Sequence, residues 1–260
     1  MPINYVSRGA GKPLILVHGL GSSRNAWSLN TLALAQHREV VLPDLPGHGE
    51  SEAEADSGTF AGLARSFEAW LDAEGLVGAD MVGSSMGARL VLEMGRRGKA
   101  GAVIALDPGG FWSGWEREFL RSTLTASGAL LRSIRPALPA LARNSVSRSM
   151  LLAQLAARPW DLNGDLVAKE LASIANTATF DSLVQDLAYG PPQSGPSAPS
   201  SGPVVIGWGR HDRLCFPSQA QRAQAAFPDA RLVWFERSGH FPMWEEPERA
   251  VRLILETIAS

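Results

Sequence analysis

The chain has 260 residues, of which 45% are apolar and 19% charged, with a formal net charge of −2. That length suits one large hydrophobic core, and the near balance of charge argues against a nucleic-acid or membrane-surface binder. Cys215 is the only cysteine, which excludes an intramolecular disulfide.

The start, Met1-Pro2-Ile3-Asn4-Tyr5, has no basic region followed by an apolar stretch, so no signal peptide is expected. No apolar run approaches the ~18 residues of a membrane-spanning helix, and a cytoplasmic location is the expectation. Short apolar runs at Ile3–Val6, Leu14–Val17, Val40–Leu42, Ala79–Val82, Ala102–Leu106, Val204–Gly207 and Leu232–Phe235 predict strands. Between them, Ala26–Gln36, Thr59–Glu74, Met86–Arg97, Ser218–Phe227 and Pro247–Ile258 predict helices. Ser218 stands where an N-cap belongs, and Pro247 where a first helical turn tolerates proline. Such alternation is that of an α/β fold with a mostly parallel, doubly wound sheet.

The alternation stops between Phe111 and Tyr189, where Leu, Ala, Ser and Arg dominate and β-branched residues are few. This stretch predicts three or four helices, so residues 1–110 and 191–260 form the core and 111–190 an all-helical cap inserted before the late strands. Its exit, Gly190–Pro203, is crowded with Pro, Ser and Gly and predicts an irregular loop. That loop is read either as a plain surface connection or as a mobile one that lets the cap shift.

Four segments carry the chemistry. Gly83-Ser84-Ser85-Met86-Gly87 joins a predicted strand to a predicted helix, which makes Ser85 a candidate nucleophile on a tight turn. Flanking glycines let the helix pass close to the strand. His18-Gly19-Leu20-Gly21, Gly209-Arg210-His211-Asp212 and Ser238-Gly239-His240 each follow another predicted strand. In an open parallel sheet, reactive groups gather at the carboxyl ends of strands, so the four segments converge.

With Pro43–Ser51 (Pro-Asp-Leu-Pro-Gly-His-Gly-Glu-Ser), these motifs resemble the α/β-hydrolase superfamily, of the small, capped serine esterase type. The order serine, acid, histidine agrees with that family. The resemblance covers nearly the whole chain, although residues 111–190 match nothing specific. It implies that Ser85 attacks a carbonyl, that His240 takes its proton, and that Asp212 orients the imidazole. Asp107, in Asp107-Pro108-Gly109-Gly110, is the alternative acid; its other reading is a turn-forming Asp-Pro pair. Backbone N–H groups of Leu20 and Met86 are the expected oxyanion hole, each such donor being worth about 3 kcal/mol. Haloalkane dehalogenases and epoxide hydrolases of this fold place aspartate where this chain has Ser85, which disfavours both reactions.

No cluster of metal ligands at useful spacing and no Gly-rich nucleotide fingerprint is visible, so neither a metal nor a cofactor is expected. Phe111, Trp112 and Trp115 are candidates to line the mouth of the site around an apolar substrate, or to pack cap against core. From Arg117 to Arg158 the chain holds seven arginines and one acid, Glu118. That face reads as solvated, or as a site for a carboxylate substrate or an acidic carrier protein. Cys215 reads as a buried structural thiol. The expectation is a hydrolase acting on a small-molecule carboxylic ester through an acyl-enzyme. Thioester, amide or C–C bond hydrolysis, perhydrolysis and a slow small-molecule receptor are the alternatives that the same motifs allow.

Overall fold

The computed structural model describes residues 3–199 and 201–259; Met1 and Pro2 at the start and Ser200 in the exit loop lie outside them. All seven expected strands are present: β1 (Tyr5–Arg8), β2 (Pro13–Val17), β3 (Glu39–Pro43), β4 (Asp80–Ser84), β5 (Val103–Leu106), β6 (Val204–Gly209) and β7 (Arg231–Phe235). They form one sheet in the order β1-β3-β2-β4-β5-β6-β7. Only β1 runs antiparallel to its neighbour; the other pairs are parallel. The carboxyl ends of β2, β4, β5, β6 and β7 therefore open on the same edge. β1 begins two residues later than the apolar run suggests, because its pairing with β3 runs from Tyr5–Pro43 to Arg8–Val40.

The helices are α1 (Thr31–Leu34), α2 (Phe60–Ala73), α3 (Met86–Arg96), α4 (Trp115–Ser133), α5 (Leu138–Arg143), α6 (Ser145–Leu151), α7 (Gly164–Asn176), α8 (Phe180–Tyr189), α9 (Ser218–Ala226), α10 (Pro242–Glu245) and α11 (Pro247–Ile258). Successive strand residues point to opposite faces of a sheet. Ile15, Val17, Met81 and Val103 accordingly pack with Leu63 and Phe67 of α2 and Leu90 of α3. Leu14, Leu16, Val82 and Ile104 face the other way, toward Trp27, Leu34, Leu253 and Ile254. Burial on both faces explains why the strands read as unbroken apolar runs.

Three local expectations are corrected. The stretch read as one helix over Ala26–Gln36 is a 3-10 turn, Arg24–Trp27, followed by the short α1. Ser23 accepts from Asn25 N to start the turn, and buried Asn30 breaks the run by donating to the Met243 carbonyl. Ser218 is the first residue of α9 rather than its N-cap, which is Pro217, and makes no capping bond. The insertion between β5 and β6 holds more pieces than expected: α4 to α8 and two 3-10 turns among the described residues. Pro136, Pro139 and Pro159 start new turns there, and Asn144 and Asn163 cap α6 and α7.

The exit loop is irregular, as its composition implies, and it is pinned to the core. Arg89 on α3 donates to the Pro191 carbonyl at 2.6 Å, Gln193 N to Gly110 O at 3.0 Å, and Ala198 N and Ser201 Oγ to Gly95 O. Those bonds speak for the plain connection rather than for a gate.

Candidate active site

Ser85 stands between β4 and α3, as the N-cap of the helix, with φ 56° and ψ −115°, a left-handed conformation that a side chain tolerates poorly. The turn is possible because its flanks are bare. A Cβ on Gly83 would run into the Gly87 carbonyl, and one on Gly87 into the His18 and Val17 carbonyls. The strain lifts the Ser85 hydroxyl out of the sheet edge, where His240 Nε2 meets its Oγ at 2.9 Å.

His240 lies five residues beyond β7. Its Nδ1 is 2.7 Å from Asp212 Oδ2, and both side chains are buried. Asp212 follows β6, and its Oδ1 accepts from Leu214 N at 2.8 Å and Cys215 N at 3.0 Å. A carboxylate at Nδ1 holds that nitrogen protonated and leaves Nε2 free to accept from Ser85. Gly209 and Gly239 let the two loops close, since a Cβ on Gly209 would strike the Gly239 carbonyl.

Asp107, the alternative acid, is fully buried at the end of β5 with φ 47°. Its Oδ1 accepts from Gly209 N at 2.8 Å, and it makes no bond to His240 among the described residues. Burial first, and then the charge of adjacent Asp212, push its carboxyl well above the usual carboxylate range. Asp212, at 2.7 Å, is the acid that reaches the histidine.

Leu20 and Met86 both border the cavity beside Ser85. Neither backbone N–H donates to another described residue, and Met86 is the first residue of α3, where the helix dipole favours negative charge. Gly19 is packed so close that a Cβ would lie 3.3 Å from the Ser85 Cβ. His18 stays structural: its Nε2 accepts from Leu45 N at 3.0 Å, and its Nδ1 donates to Gly19 O at 2.8 Å. Burial lowers its pKa to about 4, so it is neutral.

A cavity of about 440 Å³ opens from Ser85 and His240 between the sheet edge and the helical insertion. Its walls are largely apolar, with Leu124, Leu171, Ile174, Phe180 and Trp244 prominent. Of the three aromatic candidates only Trp112 lines it. Phe111 turns its ring edge-on to Phe227 and gives its carbonyl to Arg222. Trp115 is 68% exposed and packs on Phe119 and Phe216 outside. Among the described residues no arginine or lysine lines the cavity. The arginines of the insertion are taken up elsewhere: Arg132 by Asp181 at 3.0 Å, Arg143 by Asp165 at 2.7 Å, Arg158 by Asp161 at 3.2 Å. Buried Arg148 donates to the carbonyls of Ala142, Arg143, Pro159 and Trp160.

Two groups in the site were not singled out from sequence. Glu170, on α7, lines the cavity while 3% exposed; it bonds Ser22 Oγ, and its Oε1 has no partner. Burial raises its pKa to about 7. Glu245, on α10, accepts from Gly239 N at 2.7 Å, Ala157 N at 2.8 Å and Arg158 N at 3.0 Å, and so ties the histidine loop to the insertion. Nothing in the spacing of either residue signals its place. Asp212, Cys215 and His240 also bring ligand atoms within 4.8 Å of one another, a grouping that the sequence did not reveal. Binding a metal there would require breaking the His240–Asp212 bond, and burial holds the Cys215 thiol well above its ordinary pKa, which disfavours the thiolate a metal needs.

An open, mostly parallel sheet with a strained serine turn at the end of β4 defines the α/β-hydrolase class. The alpha/beta hydrolase family profile matches residues 14–253, and the chain belongs to that family. It is 27% identical over 273 residues to a 2-hydroxy-6-oxo-6-phenylhexa-2,4-dienoate hydrolase of Burkholderia cepacia, covering 99% of this chain and 91% of that one. It is 29% identical over 256 residues to the dihydrolipoyllysine-residue acetyltransferase component of the acetoin cleaving system of Cupriavidus necator; the match covers 94% of this chain and 63% of that longer relative. In fold it is similar to a thermophilic esterase from Thermogutta terrifontis, with a TM-score of 0.78, 21% identity and coverage of 99% and 93%. No helix of the described residues is long and apolar enough to cross a membrane.

The packing of the elbow predicts that Gly87→Ala destabilises the fold by about 1–3 kcal/mol. Gly95→Ala on the same helix, whose Cβ would meet only side-chain atoms at 3.3 Å, costs less; denaturant midpoints of both variants test this. A second expectation concerns Glu170. With its folded pKa raised from 4.5 to about 7, the folded chain keeps a proton that the unfolded chain has released. Stability contributed below pH 4.5 is therefore lost as pH rises to about 7, with no further change above. The melting temperature of the native chain relative to Glu170→Gln falls across that window and then levels; a flat difference contradicts the burial argument.

Proposed function

We propose that this hydrolase cleaves a carboxylic ester of an apolar acid or alcohol through a covalent acyl-enzyme. The observation that carries the reading is the Ser85–His240–Asp212 chain, with contacts of 2.9 Å and 2.7 Å, at the floor of an apolar cavity. In the proposed mechanism His240 Nε2 removes the Ser85 proton as Oγ attacks the ester carbonyl, and Asp212 stabilises the imidazolium. The Leu20 and Met86 N–H groups receive the oxyanion. His240 then protonates the departing alkoxide and activates the water that releases the acid.

C–C bond hydrolysis is the second reading, supported by the likeness to the dienoate hydrolase of Burkholderia cepacia. Its substrate is an anion by name. A cavity whose described lining has no arginine or lysine suits a neutral ester better, and for the same reason the ester reading is preferred to a carboxylate substrate or acidic carrier held by the arginine-rich helices.

Hydrolysis of p-nitrophenyl esters from acetate to palmitate tests the proposal. The expected optimum lies at medium acyl lengths, in keeping with a cavity in the lower part of the usual ~300–1,000 Å³ range. Ser85→Ala is expected to lower kcat by several orders of magnitude. Asp212→Asn, which offers His240 an amide and permits the wrong tautomer, should lower kcat about 10⁴-fold. Asp107→Asn, which keeps an oxygen for the Gly209 N–H and touches no part of the serine–histidine contact, should stay within about tenfold. Equal losses for the two asparagine variants would remove the distinction between the acids; a well-folded native chain inert on every ester would favour the C–C reading.

A further inference from the structure

Glu170 is out of place in its surroundings. Its side chain, from α7, is part of the lining of a largely apolar cavity, to which Leu171, Ile174 and Phe180 also contribute. Its Oε2 is engaged by the Ser22 hydroxyl, which belongs to the loop that also carries Leu20. Its Oε1 is buried with no donor. Nor does a cationic side chain line the cavity among the described residues. A buried carboxyl left half-satisfied costs stability, and leucine would fill the same helical position without that cost. A polar group retained at such a cost inside a binding cavity is best explained by a complementary group on the ligand.

We propose that Glu170 and Ser22 form a polar subsite that takes a hydroxyl group on the substrate, so that the preferred ester is a hydroxylated one. A hydroxyl donates to Oε1 when Glu170 is ionised and accepts from the carboxylic acid when it is not, whereas an ammonium ion serves only the ionised form and has to be desolvated in an apolar cavity. Ser22 holds Oε2 and leaves Oε1 as the atom that discriminates. The subsite rests on the reading that this cavity is the substrate site.

The test uses binding rather than turnover. In the full-length Ser85→Ala chain, calorimetry compares methyl ketones of six to ten carbons with their ω-hydroxy counterparts, in the presence of Glu170 and after Glu170→Leu or Glu170→Gln. With Glu170 present, the hydroxylated member of the best-fitting pair should bind about tenfold tighter than its parent, the scale of a hydrogen bond to an ionisable group. Glu170→Leu should abolish or reverse that preference and bind the parent ketone at least as well, while Glu170→Gln keeps part of it. An unchanged preference in Glu170→Leu, or none with Glu170 present, overturns the subsite and leaves the hydrolase reading intact. Failure of every ketone to bind, or to compete with ester hydrolysis by the native chain, overturns the cavity as substrate site and the subsite with it. Parent-ketone binding by Glu170→Leu also shows that this variant is folded.

Discussion

Ser85 must turn the chain from β4 into α3 within a single residue, and that constraint organises the site. The turn holds the residue at φ 56°, where steric strain is tolerated only because neighbouring backbone packs against it. Gly83 and Gly87 make the packing possible by letting α3 lie directly on the carbonyls of Val17 and His18. The same contact brings the loop after β2 beside Ser85, and Leu20 and Met86 both border the cavity there. The serine turn and the adjoining loop are thus products of a single close crossing.

The histidine is held differently. Its loop is fastened on one side to the core and on the other to the helical insertion. The His240 N–H donates to the Leu155 carbonyl at 2.7 Å, and Glu245 collects the N–H groups of Gly239, Ala157 and Arg158. Arg213, next to Asp212, donates to the Ala153 carbonyl at 2.6 Å. The insertion therefore roofs the cavity and also sets the position of the groups at its floor. Rigid support of this kind keeps a reacting hydrogen bond within its short working range.

Burial of carboxyl groups is the other feature of the site. Asp212 is matched by two N–H groups and an imidazole. Asp107, beside it, has one oxygen on the Gly209 N–H and the other without a partner, and burial and then the charge of Asp212 push its carboxyl well above the usual range. Glu170 stands apart from both, across the cavity, with one oxygen satisfied and one waiting. Three acids within one fold thus have different surroundings, and burial is the first cause of the upward shifts of Asp107 and Glu170.

Strand positions, the serine turn and the serine–acid–histidine order were legible in the chain itself. Buried parallel strands need unbroken apolar runs, and a strained turn needs glycines at set distances, so both leave marks along the sequence. The resemblance favoured Asp212 over Asp107, but both lie just beyond a strand, and the 2.7 Å contact to His240 is what distinguishes them. Trp112 was likewise inseparable from Phe111 and Trp115 until packing sent one ring toward Phe227, one toward Phe216 and one into the cavity. The arginine-rich stretch looked uncompensated because its acids lie later in the chain: Asp161 just beyond Arg158, and Asp165 and Asp181 brought back to Arg143 and Arg132 by helix packing. Glu170 and Glu245 carry no local pattern at all, since their meaning comes from partners 148 and 88 residues away. What the sequence by itself determined is local: which segments become strands, where the backbone turns sharply, and which side chains sit at strand ends. Charge state, pairing and the shape of the cavity depend on burial and on distant partners, and these the tertiary structure alone decided.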